Sequence, residues 1–211
     1  FAKGQISTAD GRTVAFAEVA KTCWVRQISL SSTGFYATPG ISYDAKTGQG
    51  TPFFYFAYGA AVAEVEVNGL TGEYRVCRVD ILHDVGDSLV PSIDRGQVEG
   101  AFVQGMGWLT CEDVRYDGQG RLTTHGPSTY KIPAVGDVPL DFRVTLLDKA
   151  PNERVVGGSK AVGEPPFVLA IAVVNALRGA IAAFGPGRVA VELELPATPE
   201  AVLRAIVDQQ Q

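Results

Sequence analysis

The chain has 211 residues, 46% hydrophobic and 19% charged, with a formal net charge of −5. That balance supports a substantial core and excludes a disordered chain; without a basic cluster, nucleic acid is excluded as the main partner. Three separated cysteines (Cys23, Cys77, Cys111) and only two histidines (His83, His125) argue against a disulfide framework, a zinc site and a Ser-His-Asp triad. They point instead to buried thiols in a reducing, cytoplasmic compartment. No residue is assigned as a metal ligand. The sequence opens at Phe1 with neither an initiator methionine nor a signal-peptide pattern, so it reads as a piece of a longer protein.

Taken in chain order, Thr13 to Ala20 and Cys23 to Leu30 carry β-branched or alternating apolar residues, which predicts two strands. A Ser/Thr/Gly/Pro-rich loop follows from Ser31 to Pro52; such a long loop usually serves binding or an interface. Phe53 to Asn68 and Tyr74 to His83 predict a hairpin around Leu70-Thr71-Gly72-Glu73. The aromatic residues at 53 to 58 are expected in the core. Ile93 to Leu109 has helical spacing, with glycines that cost helix stability but permit close packing.

A short hairpin is expected around Asp117-Gly118-Gln119-Gly120, a loop from Gly126 to Pro133, and a strand from Asp141 to Leu147. Phe167 to Phe184 is nearly all apolar but contains Asn175 and Arg178, which predicts a buried core helix rather than a membrane span. Val189 to Leu193 predicts a last strand. Thr198 with Pro199 caps a helix running through Val207. Strands and helices mix without regular βαβ alternation, so the class is α+β, with no internal repeat and no clear linker.

Three places can carry chemistry. Residues 157 to 166 read Gly-Gly-Ser-Lys-Ala-Val-Gly-Glu-Pro-Pro, placing Glu164 between a glycine run and an apolar helix. The glycines allow close approach to a ligand, and the prolines suit a first helical turn. A carboxylate there is either a positioned general base or an acidic residue that only stabilises the helix start. Gly96-Gln97-Val98-Glu99-Gly100 is placed at the opening of a helix, where amides can hold an anion, or else serves close helix packing. The amide of Gln97 can both donate and accept hydrogen bonds. Ser128-Thr129-Tyr130-Lys131 matches S-x-x-K only formally, and Asp80, Asp84 and Asp87 read as a turn with solvated carboxylates rather than a calcium loop.

Five motifs then stand in one order: Gly34-Phe35-Tyr36 with Thr38-Pro39; Asp84-Val85-Gly86; Asp94 to Gly107; Gly126-Pro127-Ser128-Thr129-Tyr130-Lys131-Ile132-Pro133; and Ser159 to Pro166. On these the chain resembles the C-terminal part of the molybdenum-binding subunit of the bacterial xanthine dehydrogenases, in the molybdenum hydroxylase family. The resemblance implies mixed sheets packed with helices, with residues 1–211 forming a C-terminal molybdenum-cofactor-binding domain. It implies Glu164 as the catalytic base beside the molybdenum centre in the hydroxylation of hypoxanthine and xanthine to urate. Gln97 becomes a hydrogen-bonding partner of the pterin of the molybdenum cofactor (molybdopterin), and Ser128 and Lys131 become structural. FAD and 2Fe-2S clusters are expected on a partner subunit or upstream domains, in a dimer of heterodimers. Other substrate and pterin contacts lie upstream in the family, so this piece alone is expected to be inactive. Two alternatives stay open: an aldehyde oxidase or other molybdenum hydroxylase, and a non-catalytic subunit-interaction domain whose glutamate caps a helix.

Overall fold

The structure, a computed structural model, describes residues 1–148, 150, 155–186 and 190–210. Two compact units are present, Phe1–Phe54 and Tyr55–Gln211.

In the first unit, β1 (Gln5–Ser7) pairs antiparallel with β2 (Thr13–Ala15), and β3 (Ser42–Asp44) with β4 (Gln49–Thr51). The two strands predicted from Thr13 to Leu30 are not found beyond Ala15. Instead α1 (Phe16–Val25) follows directly. Phe16, Val19, Ala20 and Cys23 recur at i, i+3, i+4 and i+7, and Glu18 lies in the first turn, so helical spacing overrides the β-branched content.

The second unit is built on a three-stranded sheet of order β5-β6-β7: β5 (Gly59–Val67), β6 (Tyr74–His83) and β7 (Asp141–Leu146). β5 and β6 form the predicted hairpin, with an irregularity between Glu64 and Val65. β6 and β7 run parallel, so α2 (Pro91–Thr110) serves as a crossover between them, as parallel pairing requires. A 3-10 segment (Pro165–Ala170), α3 (Ile171–Ala182) and α4 (Pro199–Gln209) complete the unit. One core joins Val79, Ile81, Phe102, Val173, Leu177, Ile181, Val202 and Ile206, and the inward Ala61, Ala63, Val65 and Val67 of β5 pack against it.

Several expectations are corrected here. β5 starts only at Gly59, and Phe53, Phe56 and Tyr58 are exposed rather than core; the ladder that turns alternate side chains inward begins after them. The apolar stretch after Glu164 begins as a 3-10 segment and is not buried all round. Val168 and Ile171 face out, while Pro166, Ala170, Val174, Leu177 and Ile181 face in. Val189 lies outside the described residues, and 190–194 form no strand. Leu193 is buried between exposed Glu192 and Glu194, so the alternation is present without a strand ladder among the described residues. The expected short hairpin around Asp117–Gly120 is present: Tyr116 bridges Leu122, the Asp117 amide donates to the Arg121 carbonyl at 2.9 Å, and the Thr123 amide donates to the Arg115 carbonyl at 2.8 Å. At the C-terminus the expected cap is present: Thr198 Oγ1 accepts a hydrogen bond from the Ala201 amide at 3.3 Å.

Close packing through glycine is confined to the C-terminal half of α2. A Cβ on Gly105 would stand 2.3 Å from the Phe167 carbonyl oxygen, whereas Gly96 and Gly100 meet nothing within 4 Å. Gly105 thus seats the 3-10 segment directly on α2, and Trp108 and Phe167 stack beside it with centroids 5.4 Å apart. Alanine gains up to about 1 kcal/mol of helix propensity over glycine, but a clash with fixed backbone costs about 1–3 kcal/mol. We therefore expect Gly105→Ala to lower the thermal unfolding temperature; a rise would show that the seat is looser than described.

Candidate active site

The loop that carries Glu164 is held at its root by charge. β6 ends at His83, and the next residue, Asp84, turns its carboxylate inward. One oxygen accepts the Gly86 amide at 2.8 Å, and the other pairs with Lys160 Nζ. The two side chains are only 4% and 10% exposed. Lys160 Nζ also donates to the Phe56 carbonyl at 3.1 Å and lies 5.8 Å from the Tyr58 ring centroid, within cation–π range. The backbones are stitched alongside: the Lys160 amide donates to the Val85 carbonyl and the Asp87 amide to the Gly158 carbonyl, both at 2.9 Å. Gly86, at φ +64, has no room for a side chain, since its Cβ would stand 2.3 Å from the Gly158 oxygen. The Ala161 amide donates to the Tyr55 hydroxyl at 2.7 Å.

This overturns the expectation of a solvated carboxylate at Asp84, whereas Asp87 is exposed and Asp80 lies half-exposed on β6 beside Arg78. Burial pushes the Asp84 carboxyl up, but hydrogen bonds from Lys160 and Gly86 outweigh it and hold it below its usual range. His83, also buried, is pushed down by desolvation and partly pulled back by Asp84; its Nδ1 has no hydrogen-bond partner among the described residues.

Glu164 stands at the N-cap position of the 3-10 segment, with Pro165 and Pro166 as its first residues. Its side chain makes no capping hydrogen bond. The first amide available, that of Phe167, donates at 3.0 Å to the Glu164 carbonyl. The carboxylate is exposed and lines a groove of about 450 Å³ together with Ala161, Gly163, Pro165 and Val168. Helix capping, the rival role weighed for Glu164, is therefore not what its side chain does.

Gln97 comes to the same place from α2. A Cβ built on Gly163 would stand 3.3 Å from Gln97 Oε1, so Gln97 meets the residue before Glu164 across 66 residues of sequence. The expected helix opening at Gly96 is displaced, because α2 starts at Pro91. The amides at 96–100 therefore fall inside the helix, and the anion-site option for that segment falls away. Glycines with open space beside Gln97, an amide that donates and accepts, and a free carboxylate fit a large polar ring system resting on backbone. Among the described residues no three of His, Cys, Asp and Glu form a metal-holding group.

The Ser128–Lys131 loop is locked structurally. Lys131 Nζ binds Asp137 at 2.6 Å, and the Tyr130 hydroxyl donates to Glu112 at 2.7 Å. Asp84 and Lys160 are the site-shaping residues that sequence reasoning missed. Their one signal was that each is the only charge of its sign in its motif, Asp84 in Asp84-Val85-Gly86 and Lys160 in Ser159 to Pro166.

With this geometry in place, the comparisons with known proteins converge. Residues 1–139 match the family described as molybdopterin cofactor-binding domain, and the chain belongs to that family. It is similar to the xanthine dehydrogenase/oxidase of Rattus norvegicus, with 52% identity over 187 residues covering 86% of this chain and 14% of that relative. Among solved structures it resembles the aldehyde oxidoreductase of Desulfovibrio gigas (TM-score 0.74, 25% identity, 95% of this chain and 21% of that one). It also resembles the quinoline 2-oxidoreductase of Pseudomonas putida 86 (TM-score 0.61, 35% identity, 69% and 18%). These neighbours bear out the α+β class. The chain spans 14% of the length of the curated relative it matches.

Replacing Asp84 by Asn leaves Lys160 charged and buried without its partner, a change that costs about 3–5 kcal/mol. Because the Asp84 carboxyl is held below its usual range, its contribution is complete above about pH 4 and fades as pH falls through the lowered value. Denaturant unfolding of wild type and Asp84→Asn should therefore show a gap that is constant from pH 8 to 5 and closes in stronger acid. A gap that widened on acidification would contradict this ionisation.

Proposed function

We propose that this chain forms the C-terminal wall of the active site of a xanthine dehydrogenase that hydroxylates hypoxanthine and xanthine to urate, with Glu164 as general base and Gln97 as a partner of the pterin. The observation that carries this reading is the exposed Glu164 carboxylate, which caps no amide at the start of the 3-10 segment and follows the Gly163 that meets Gln97. The 52% identity to a relative named xanthine dehydrogenase/oxidase supports the substrate class.

When bound, the molybdenum cofactor supplies oxygen transfer and takes up two electrons. Glu164 takes up the proton released as an electron-poor ring carbon of the purine is hydroxylated; a base in this role must stand within hydrogen-bond reach of that proton. Gln97 presents an amide that reads donors and acceptors on the pterin edge. Pro165 and Val168 give the groove beside Glu164 an apolar wall, against which a flat ring can lie. The 2Fe-2S clusters and FAD that would accept the electrons belong to a partner subunit or other domains, in a cytoplasmic dimer of heterodimers. Because the rest of the site lies outside this chain, the domain by itself is inactive.

In the whole enzyme, Glu164→Gln removes the base while keeping its shape. We expect kcat on xanthine to fall by about 10²–10⁴-fold with molybdenum content unchanged, and near-normal turnover would rule out the assignment. The same preparation of wild type should turn over xanthine in preference to benzaldehyde; the reverse preference would move the enzyme to the aldehyde-oxidising branch, to which the Desulfovibrio neighbour belongs by name.

Gln97→Ala tests the cofactor contact separately. We expect lower molybdenum and pterin content in the purified enzyme. Full occupancy with full activity would remove Gln97 from the site.

A further inference from the structure

Between the clamp at Asp84 and the helix seat at Gly105, the chain carrying Glu164 is almost unsupported. The amides of Val162, Gly163 and Glu164 make no hydrogen bond among the described residues, and the next backbone bond is Phe167 to the Glu164 carbonyl. Gly163 adds torsional freedom in the middle of this span. Where the carboxylate stands therefore depends on how firmly the two ends are held. One end is Gly105 under Phe167. The other is Lys160, whose ammonium reaches across to Asp84 and to the Phe56 carbonyl while its amide holds Val85, with the Ala161 amide on the Tyr55 hydroxyl beside it.

A buried ion pair is a costly way to hold a loop. Desolvation of both charges offsets much of the attraction, and an apolar pair of similar volume is often as stable or more so. What such a pair supplies is direction: a charged hydrogen bond fixes a long side chain at one point, where a methylene contact allows sliding. We infer that Lys160 and Asp84 are positioning residues for Glu164, holding segment 158–164 so that its carboxylate stands at a set point beside Gln97. This rests on the reading of Glu164 as general base. Lys160 touches neither substrate nor cofactor in this role; it acts through the four residues that follow it.

The test uses the whole enzyme and whichever of xanthine or benzaldehyde it turns over. The double variant Asp84→Asn/Lys160→Met removes both charges together and avoids stranding either. Lys160→Arg keeps the charge but moves it on a longer, forked side chain. Small displacements of a catalytic group cost up to about 10²-fold in rate, so we expect kcat to fall by 10- to 100-fold while KM and molybdenum and pterin content hold.

The decisive comparison places each change in a Glu164→Gln background. If the pair acts through Glu164, it adds no further loss there, because the group it positions is already gone. An equal loss with and without Glu164, or full kcat in both variants, would overturn the inference. So would loss of cofactor from both, which would make the pair a general support; if only the double variant misfolds, Lys160→Arg decides by the same comparison. The two readings fail differently. Turnover by Glu164→Gln defeats the base assignment, whereas its collapse alongside fully active clamp variants defeats only the positioning role.

Discussion

The contact between Lys160 and Asp84 is the constraint on which the site depends. It ties the end of a core strand to a loop that would otherwise be a glycine-rich span with few bonds of its own. Both partners lie at element ends, where the backbone has already left its ladder and side chains must supply the order that hydrogen-bonded strands supply elsewhere. His83, buried one residue before the pair and pushed toward its neutral form, adds no competing charge to the cluster. The result is a rigid root for a flexible segment.

The second constraint is steric. α2 and the 3-10 segment approach so closely at Gly105 that no side chain fits between them. This contact sets the height of the helix that begins after Glu164, as the ion pair sets the loop that ends there. Gln97 stands two turns earlier on the same α2. One helix thus carries both the proposed cofactor contact and the platform for the proposed base, so the two groups share a frame even though they are distant in sequence. The parallel crossover between β6 and β7 is what lays that helix over the sheet.

Much of this was legible in the sequence, for physical reasons that differ by element. The β5–β6 hairpin, α2 and the Thr198 cap were readable because their signals are local: alternation, helical spacing, and a hydroxyl three residues before an amide. Glu164 was readable because prolines and glycines bracket it. α1 was missed because β-branched residues and helical spacing compete over ten residues, and spacing won. The aromatic run at 53–58 was misplaced because large apolar residues suggest burial, whereas the ladder that turns side chains inward begins only at Gly59. Asp84 was misread because a carboxylate in a turn is ordinarily solvated. Its partner lies 76 residues away, and no local pattern announces a contact of that range. The link between Gln97 and Gly163 likewise exists only in three dimensions.

The paired prolines after Glu164 have one more consequence. A glutamate at the start of a helix ordinarily risks capture by its own helix, because the first amides offer a carboxylate ready donors. Here two of those amides do not exist, and the next is already bound to the Glu164 carbonyl. The helix is thereby deaf to the side chain at its head. Whatever approaches Glu164 meets a carboxylate with no rival for its lone pairs inside its own helix, and has none to displace before it binds.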